Sequence, residues 1–377
     1  MSKYALSALL ISALGLSPGS VLQEPRWTAT PAARAGAQDG PGALTEVFDM
    51  EIGPNGELLA GQPSAGTIAV FAADGRYLRS FGRRGQGPGE FQVVGRMGWI
   101  GDTLWVVDFG RLQLFNSSFH FARSITFPTL KPPAGVSRMI PGPILADGSV
   151  LGIPVIVDSG RLAPIVRLSK LGDIIDTLAH VLIRDGYTRI PVPGSPRAGN
   201  VLQSWMDDPI WVSTPDGQSV AIVNRPIPSR AGAGSFEIMR IGLDGDTVVH
   251  RVVEFVPLER TRAEADEWYA STARRLAAQL SVPEAQAERA IRRVVQLPRY
   301  HLPVTRMVVG RDETIWLRRE DTGGHTVDWQ VFDRSGRVLG RLSLPSAFMA
   351  HRAQAGRVWG VEKDSLDISF LRVYEIR

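Results

Sequence analysis

Six short apolar segments of one shape recur along the chain: Ile68-Ala69-Val70-Phe71, Leu112-Gln113-Leu114-Phe115, Ile165-Val166-Arg167-Leu168, Ile238-Met239-Arg240-Ile241, Trp329-Gln330-Val331-Phe332 and Leu371-Arg372-Val373-Tyr374. Most run into a turn such as Asp74-Gly75, Gly172-Asp173, Asp244-Gly245 or Ser335-Gly336, and then into a further β-rich run. A second register precedes each copy: Leu58-Leu59-Ala60, Leu104-Trp105-Val106-Val107, Val150-Leu151-Gly152-Ile153, Val220-Ala221-Ile222-Val223, Ile315-Trp316-Leu317 and Val358-Trp359-Gly360-Val361. Tight turns of Gly with Asn or Asp, whose central positions need φ > 0, lead into several of these. A supersecondary unit repeated about every 40–50 residues cannot bury both faces alone and must stack on its neighbours, which is the pattern of a β-propeller. Two registers, each present in six copies, predict an all-β chain with six blades. Such an architecture does not by itself specify an activity.

The sixth blade lacks an outer strand, because Leu371–Ile376 is followed only by Arg377. The segment Arg26-Trp27-Thr28-Ala29-Thr30, ahead of the first blade, has no partner of its own. Pairing the two closes the ring and protects both edges. The propeller is thus expected to span residues 26–377 and to be closed by an N-terminal outer strand. One stretch departs from the β pattern. Thr261-Arg262-Ala263-Glu264 reads as a capping box, followed by Trp268, Tyr269, Thr272, Leu276 and Leu280 at helical spacing. Ser281-Val282-Pro283-Glu284 reads as a second box before Ala287, Ala290, Ile291 and Val294. Residues 261–297 therefore predict an α-helical hairpin inserted between blades four and five, as decoration or as a lid. Residues 126–143 and 187–200, rich in Pro and Gly, read as long surface loops.

The run Phe81-Gly82-Arg83-Arg84-Gly85-Gln86-Gly87-Pro88-Gly89-Glu90-Phe91, preceded by Val70-Phe71-Ala72-Ala73-Asp74-Gly75-Arg76-Tyr77-Leu78, resembles an NHL repeat. The chain is similar to bacterial exported six-bladed propellers related to that family. The match is dense across residues 48–127 and rests on period alone beyond them. The resemblance implies a recognition module, in which the Gly-Pro-Gly-Glu-Phe turn is structural and Phe91 packs between blades. Gly40-Pro41-Gly42-Ala43-Leu44 echoes that turn after the N-terminal segment.

The 377 residues are 44% hydrophobic and 21% charged, ample for one large domain. Net charge is +4 and almost all the positive charge is Arg, since Lys occurs only at Lys3, Lys131, Lys170 and Lys363. No basic run is interleaved with aromatics, so no nucleic-acid partner is expected. The absence of Cys excludes disulfides, thiolate metal sites and Cys nucleophiles. Residues 1–20 read as a secretory signal peptide: Lys3, then an uncharged apolar run over 4–16, then Ser17-Pro18-Gly19-Ser20. An exported chain, periplasmic or extracellular, with no transmembrane segment after cleavage, is the expectation, and a monomer is expected.

Candidate chemistry lies on the inner strands, which line a propeller's channel. Asp49-Met50, Arg96-Met97 and Arg306-Met307 are near-equivalent, Phe348-Met349 is one residue off, and Arg138-Met139 is about three out of register. The Met residues are expected to pack between inner strands. If Arg96, Arg138 and Arg306 converge with Asp49 at one end of the channel, they form a cationic ring suited to a carboxylate or phosphate. The alternative is that each Arg pairs with a neighbouring blade's carboxylate or reaches solvent, since alternation places only half of a strand's positions inward. The six His show no metal-binding spacing, and no nucleophile elbow or phosphate loop is present. Asp108, Asn224 and Glu362, at the ends of second strands, are the candidates for a calcium or zinc site under a lactonase-like hydrolase or lyase reading. The leading expectation is a binding propeller, without catalysis or cofactor, that engages an unknown protein or small molecule at one face. A structural envelope component is the third reading.

Overall fold

The computed structural model describes residues 24–377 apart from 158–160, 185, 204, 320–323 and 355; the expected signal peptide lies outside the described residues. A first strand, β1 (Ala29–Ala35), precedes the blades. Blade one comprises β2 (Asp49–Ile52), β3 (Leu58–Gln62), β4 (Thr67–Phe71) and β5 (Tyr77–Phe81). Blade two comprises β6 (Val94–Ile100), β7 (Thr103–Asp108), β8 (Arg111–Phe115) and β9 (Phe121–Thr126). Blade three has longer strands, β10 (Val136–Ile144), β11 (Val150–Val157), β12 (Arg161–Leu168) and β13 (Ile174–Ile183). A separate hairpin follows, β14 (Tyr187–Ile190) with β15 (Gly199–Leu202). Blade four is β16 (Ile210–Ser213), β17 (Ser219–Asn224), β18 (Gly234–Gly242) and β19 (Thr247–Phe255). Helices α1 (Arg262–Leu280) and α2 (Glu284–Val294) come next. Blade five is β20 (Arg306–Val309), β21 (Ile315–Arg318), β22 (Thr326–Phe332) and β23 (Val338–Pro345). Blade six is β24 (Phe348–Gln354), β25 (Arg357–Lys363) and β26 (Ser369–Ile376), with β1 as its outer strand.

All twelve repeated segments are the second and third strands of these blades. The apolar core is divided among the seams. Leu59, Val70, Phe91 and Met97 fill the seam of blades one and two, and Trp329, Leu342, Phe348 and Val358 that of blades five and six. Neighbouring inner strands touch at β2–β6, β6–β10, β16–β20, β20–β24 and β24–β2, so the chain curls round an axis.

Closure is as expected, but displaced along the chain. Ala29 pairs with Ile376 and Ala35 with Leu371, so the strand starts three residues later and ends five residues later than the segment the repeat pattern suggested. The Trp27 N–H instead donates to the Arg341 carbonyl of blade five at 2.7 Å. The reason is packing: the Trp27 ring enters the seam of blades five and six over Gly340, where a Cβ would lie 2.8 Å from it. The Gly-Pro turns match as the echo implied. Phe91 and Leu44 are both buried, at the seams before blades two and one. Gly82 has φ 79° and leaves room for the Phe91 ring, which a Cβ there would meet at 2.5 Å.

Thr261 forms the expected capping box with Glu264. The second box is not formed. Ser281 ends α1 in a left-handed conformation, and Pro283 caps α2 without a side-chain bond, because the tight link leaves Ser281 no approach to the α2 amides. The two expected loops also hold strands. Residues 136–143 belong to β10, an inner edge strand that tolerates Pro141. Residues 187–200 fold into most of the β14–β15 hairpin, which packs on the helices through Ile190, Val192, Val201, Leu276 and Ile291. Two insertions thus share one small core of their own.

Candidate functional site

Met50, Met97, Met139 and Met307 are all buried in seams, so the residue before each lies on the opposite side of its strand. Met349 departs from this expectation. Phe348 takes the seam position and leaves Met349 half exposed.

Asp49 opens β2 and is buried. Its carboxylate accepts the N–H of Met50 at 2.9 Å and of Met97, in blade two, at 3.0 Å. It also meets His351 Nδ1 and Arg352 Nη2 of blade six, each at 3.2 Å. Glu51, two residues on and therefore on the same side, accepts Arg352 Nε at 2.9 Å and Arg311 of blade five at 2.8 Å. Burial by itself would raise the Asp49 carboxyl, but Arg352, and then the His351 bond, hold it well below the usual carboxylate range. Burial lowers the His351 pKa more than Asp49 raises it, so the ring is neutral at pH 7 and its Nδ1–H donates to Asp49. Four consecutive blades, five, six, one and two, are thereby joined by charged side chains, which reach the backbone of Met97 in blade two, on both sides of the ring's closing seam.

Arg306 differs from Arg311 and Arg352. Its Nε donates to the Ala350 carbonyl at 2.8 Å, and its terminal nitrogens, which are not sealed from solvent, have no partner among the described residues. Burial lowers its pKa to about 10; Asp49 opposes the fall, while Arg96, Arg352 and Arg318 add to it. Arg96 is exposed and makes no hydrogen bond or ion pair with any described residue. Of the four expected residues, Arg306 therefore feels the charge of two others, Asp49 and Arg96. Asp49 is spent on the ring, and the two arginines are left as uncompensated cations. Arg138 is engaged elsewhere: its guanidinium stacks 4.7 Å from the centroid of the Phe109 ring. Bulges around residues 136, 138 and 139 alter its register relative to the regular strands β2 and β20.

The three alternative metal-site residues are held apart by their own blades. Asp108 is fully buried and accepts Gln92 N–H at 2.8 Å, Val93 N–H at 3.1 Å and Arg111 Nε at 2.8 Å, tying a blade entry to a turn. Asn224 donates to Glu237 at 3.1 Å, and Glu362 accepts the Tyr374 hydroxyl at 2.9 Å. No group of three or more His, Asp or Glu residues able to hold a metal occurs among the described residues. Glu51, His351, Arg352 and Arg311 were missed from the sequence. Alternation from Asp49 could have found Glu51; the bulge between Ala350 and Arg352 hid His351 and Arg352. Two open clefts, of about 430 Å³ beside Arg189 and Arg197 and about 220 Å³ between β15 and α1, lie on the inserted module, away from these charges.

Neither a protein-family model nor a curated protein matches the sequence. Solved structures do. A candidate exported protein from Bacteroides fragilis is 13% identical, with 93% of this chain and 95% of that one covered and a TM-score of 0.49. A calcium-binding regucalcin from Agrobacterium tumefaciens is 12% identical, with 92% and 94% covered and a TM-score of 0.41. An inactive variant of virginiamycin B lyase from Staphylococcus aureus, solved with quinupristin, is 11% identical, with 93% and 99% covered and a TM-score of 0.38. At such distances these likenesses say nothing of activity, and the blade count rests on the strand pairing above. No described helix is long and apolar enough to cross a membrane.

Proposed function

We propose that the chain is an exported binding propeller that takes an anionic ligand at the channel mouth where the inner strands begin. One observation carries this reading: Arg306, partly buried and in the field of three further cations, Arg96, Arg352 and Arg318, leaves its terminal nitrogens unpaired among the described residues while Asp49 and Glu51 are already engaged. An unanswered guanidinium in a partly desolvated place is a receptor for carboxylate or phosphate oxygens. Export is supported by the sequence of residues 1–20, and the NHL-like turn fits a recognition module. Phe91 and Glu90 hold that turn together.

Titration calorimetry with acetate and sulfate at low ionic strength tests the reading. Both anions should bind, more weakly as NaCl is added, and Arg306→Met should weaken them at least tenfold. Equal affinity in the variant, or no anion binding at all, would remove the proposal.

A further inference from the structure

Large apolar side chains are exposed round the same mouth. Phe48, 53% exposed, immediately precedes Asp49, and Val93, 43% exposed, precedes β6. Phe109, 52% exposed, follows Asp108, which pairs with Val94 at the start of β6. Met349, 51% exposed, is the second residue of β24. Phe109 also has φ 57°, a left-handed conformation that bulky side chains avoid, and the buried Asp108 carboxylate with Arg111 pins the turn that imposes it. An aromatic ring held exposed against local preference, with Arg138 over one face, has no evident part in packing. Exposed apolar residues elsewhere, such as Val248 and Val252 on the outer strand β19, lie far from the channel's cations.

Resting on the anion reading above, we infer that the ligand is a small amphipathic carboxylate. Its head pairs with Arg306 and Arg96, and its hydrocarbon body covers Phe48, Val93, Phe109 and Met349. A bare anion would leave the apolar rim in water, and a neutral hydrocarbon would leave the guanidinium unanswered. The combination selects a molecule with both parts.

The test is a calorimetric series of acetate, butyrate, hexanoate and octanoate, all below micelle-forming concentrations, with hexanamide as the uncharged control. Affinity should rise about threefold to fourfold per added CH₂ while the chain is being covered, and hexanamide should bind at least tenfold more weakly than hexanoate. Phe109→Ser combined with Met349→Ser, both at exposed positions, should weaken hexanoate severalfold and leave acetate unchanged, Phe48 and Val93 keeping the rest of the chain covered. Affinities independent of chain length would overturn this inference while leaving the anion reading intact. Equal binding of hexanamide and hexanoate would overturn it too. Failure of every carboxylate, acetate included, would instead defeat the reading on which it stands.

Discussion

Replacing Asp49 by Ala removes the acceptor for two backbone N–H groups and the counter-charge for His351 and Arg352 in one step. Breaking a buried ion pair from one side costs about 3–5 kcal/mol, and a buried N–H left without an acceptor adds about 1–3 kcal/mol. Arg352 keeps Glu51 at 2.9 Å, so part of its compensation survives, and a total near the low end, about 4 kcal/mol, is expected. Unfolding entropy of about 2.1 cal/mol/K per residue over ~350 residues gives roughly 0.7 kcal/mol per degree. The midpoint should therefore fall by about 5–6 °C in scanning calorimetry at pH 7. Arg352→Met and the double variant complete a cycle, and the pair should couple by more than about 1 kcal/mol. If Asp49→Ala costs under ~1 kcal/mol, as exposed pairs do, and adds to Arg352→Met without coupling, the charged link between neighbouring blades does not hold the ring.

The same network sets the acid limb of stability. Asp49 is held below the usual carboxylate range in the folded protein, so its contribution is complete above pH ~4 and is lost as pH falls toward its folded value. His351 and His301 act earlier. Both are lowered in the fold, chiefly by burial, so the unfolded chain takes up protons first and stability declines as pH drops below ~6.5. Asp49→Asn should show a shallower lower limb, since Asp333, Asp147 and Glu264 are also held low, and should retain the upper one in denaturation curves taken from pH 7 to pH 3.

Deleting residues 24–35 strips the outer strand from blade six and Trp27 from its seam, and should yield a chain that aggregates through the bared β26 edge in light scattering. Replacing residues 261–297 by a short Gly-Ser linker should leave cooperative unfolding, because Arg260 N–H to Arg299 and His301 N–H to Leu258 already bring the ends together. Solubility should recover fully only when residues 187–202 are removed as well, since Ile190, Val192 and Val201 lose their cover; a loss of cooperativity would place the module in the main core. Phe91→Ala should cost about 3–5 kcal/mol by chemical denaturation, as expected for a fully buried ring. Millimolar calcium or zinc should leave the melting midpoint within a degree, and a rise of several degrees would revive the site at Asp108, Asn224 and Glu362.

The blades were legible because each seam demands the same alternation twice, on a second and a third strand, and periodic burial is what sequence expresses most directly. Trp27 was misplaced because its position is set by Gly340, more than 300 residues away, and no local preference records such a match. The site divides along a physical line. On the regular inner strands β2 and β20, where register runs without a break, the residue before the buried Met lies on the opposite side of its strand, and Arg306 feels the charge of Asp49. On β6, β10 and β24 the register shifts between residues 94 and 97, 136 and 139, and 350 and 352. Each extra residue can change which neighbours face the axis. Arg138 is drawn to Phe109, Met349 comes out into solvent, and His351 with Arg352 turns in to meet Asp49. Three irregular strands out of six thus reset the channel's chemistry without disturbing the seams. The two faces of one strand are governed by different forces: apolar burial between blades tolerates a bulge that shifts charge on the other side, so core pattern alone could give the ring and only half of what lines it.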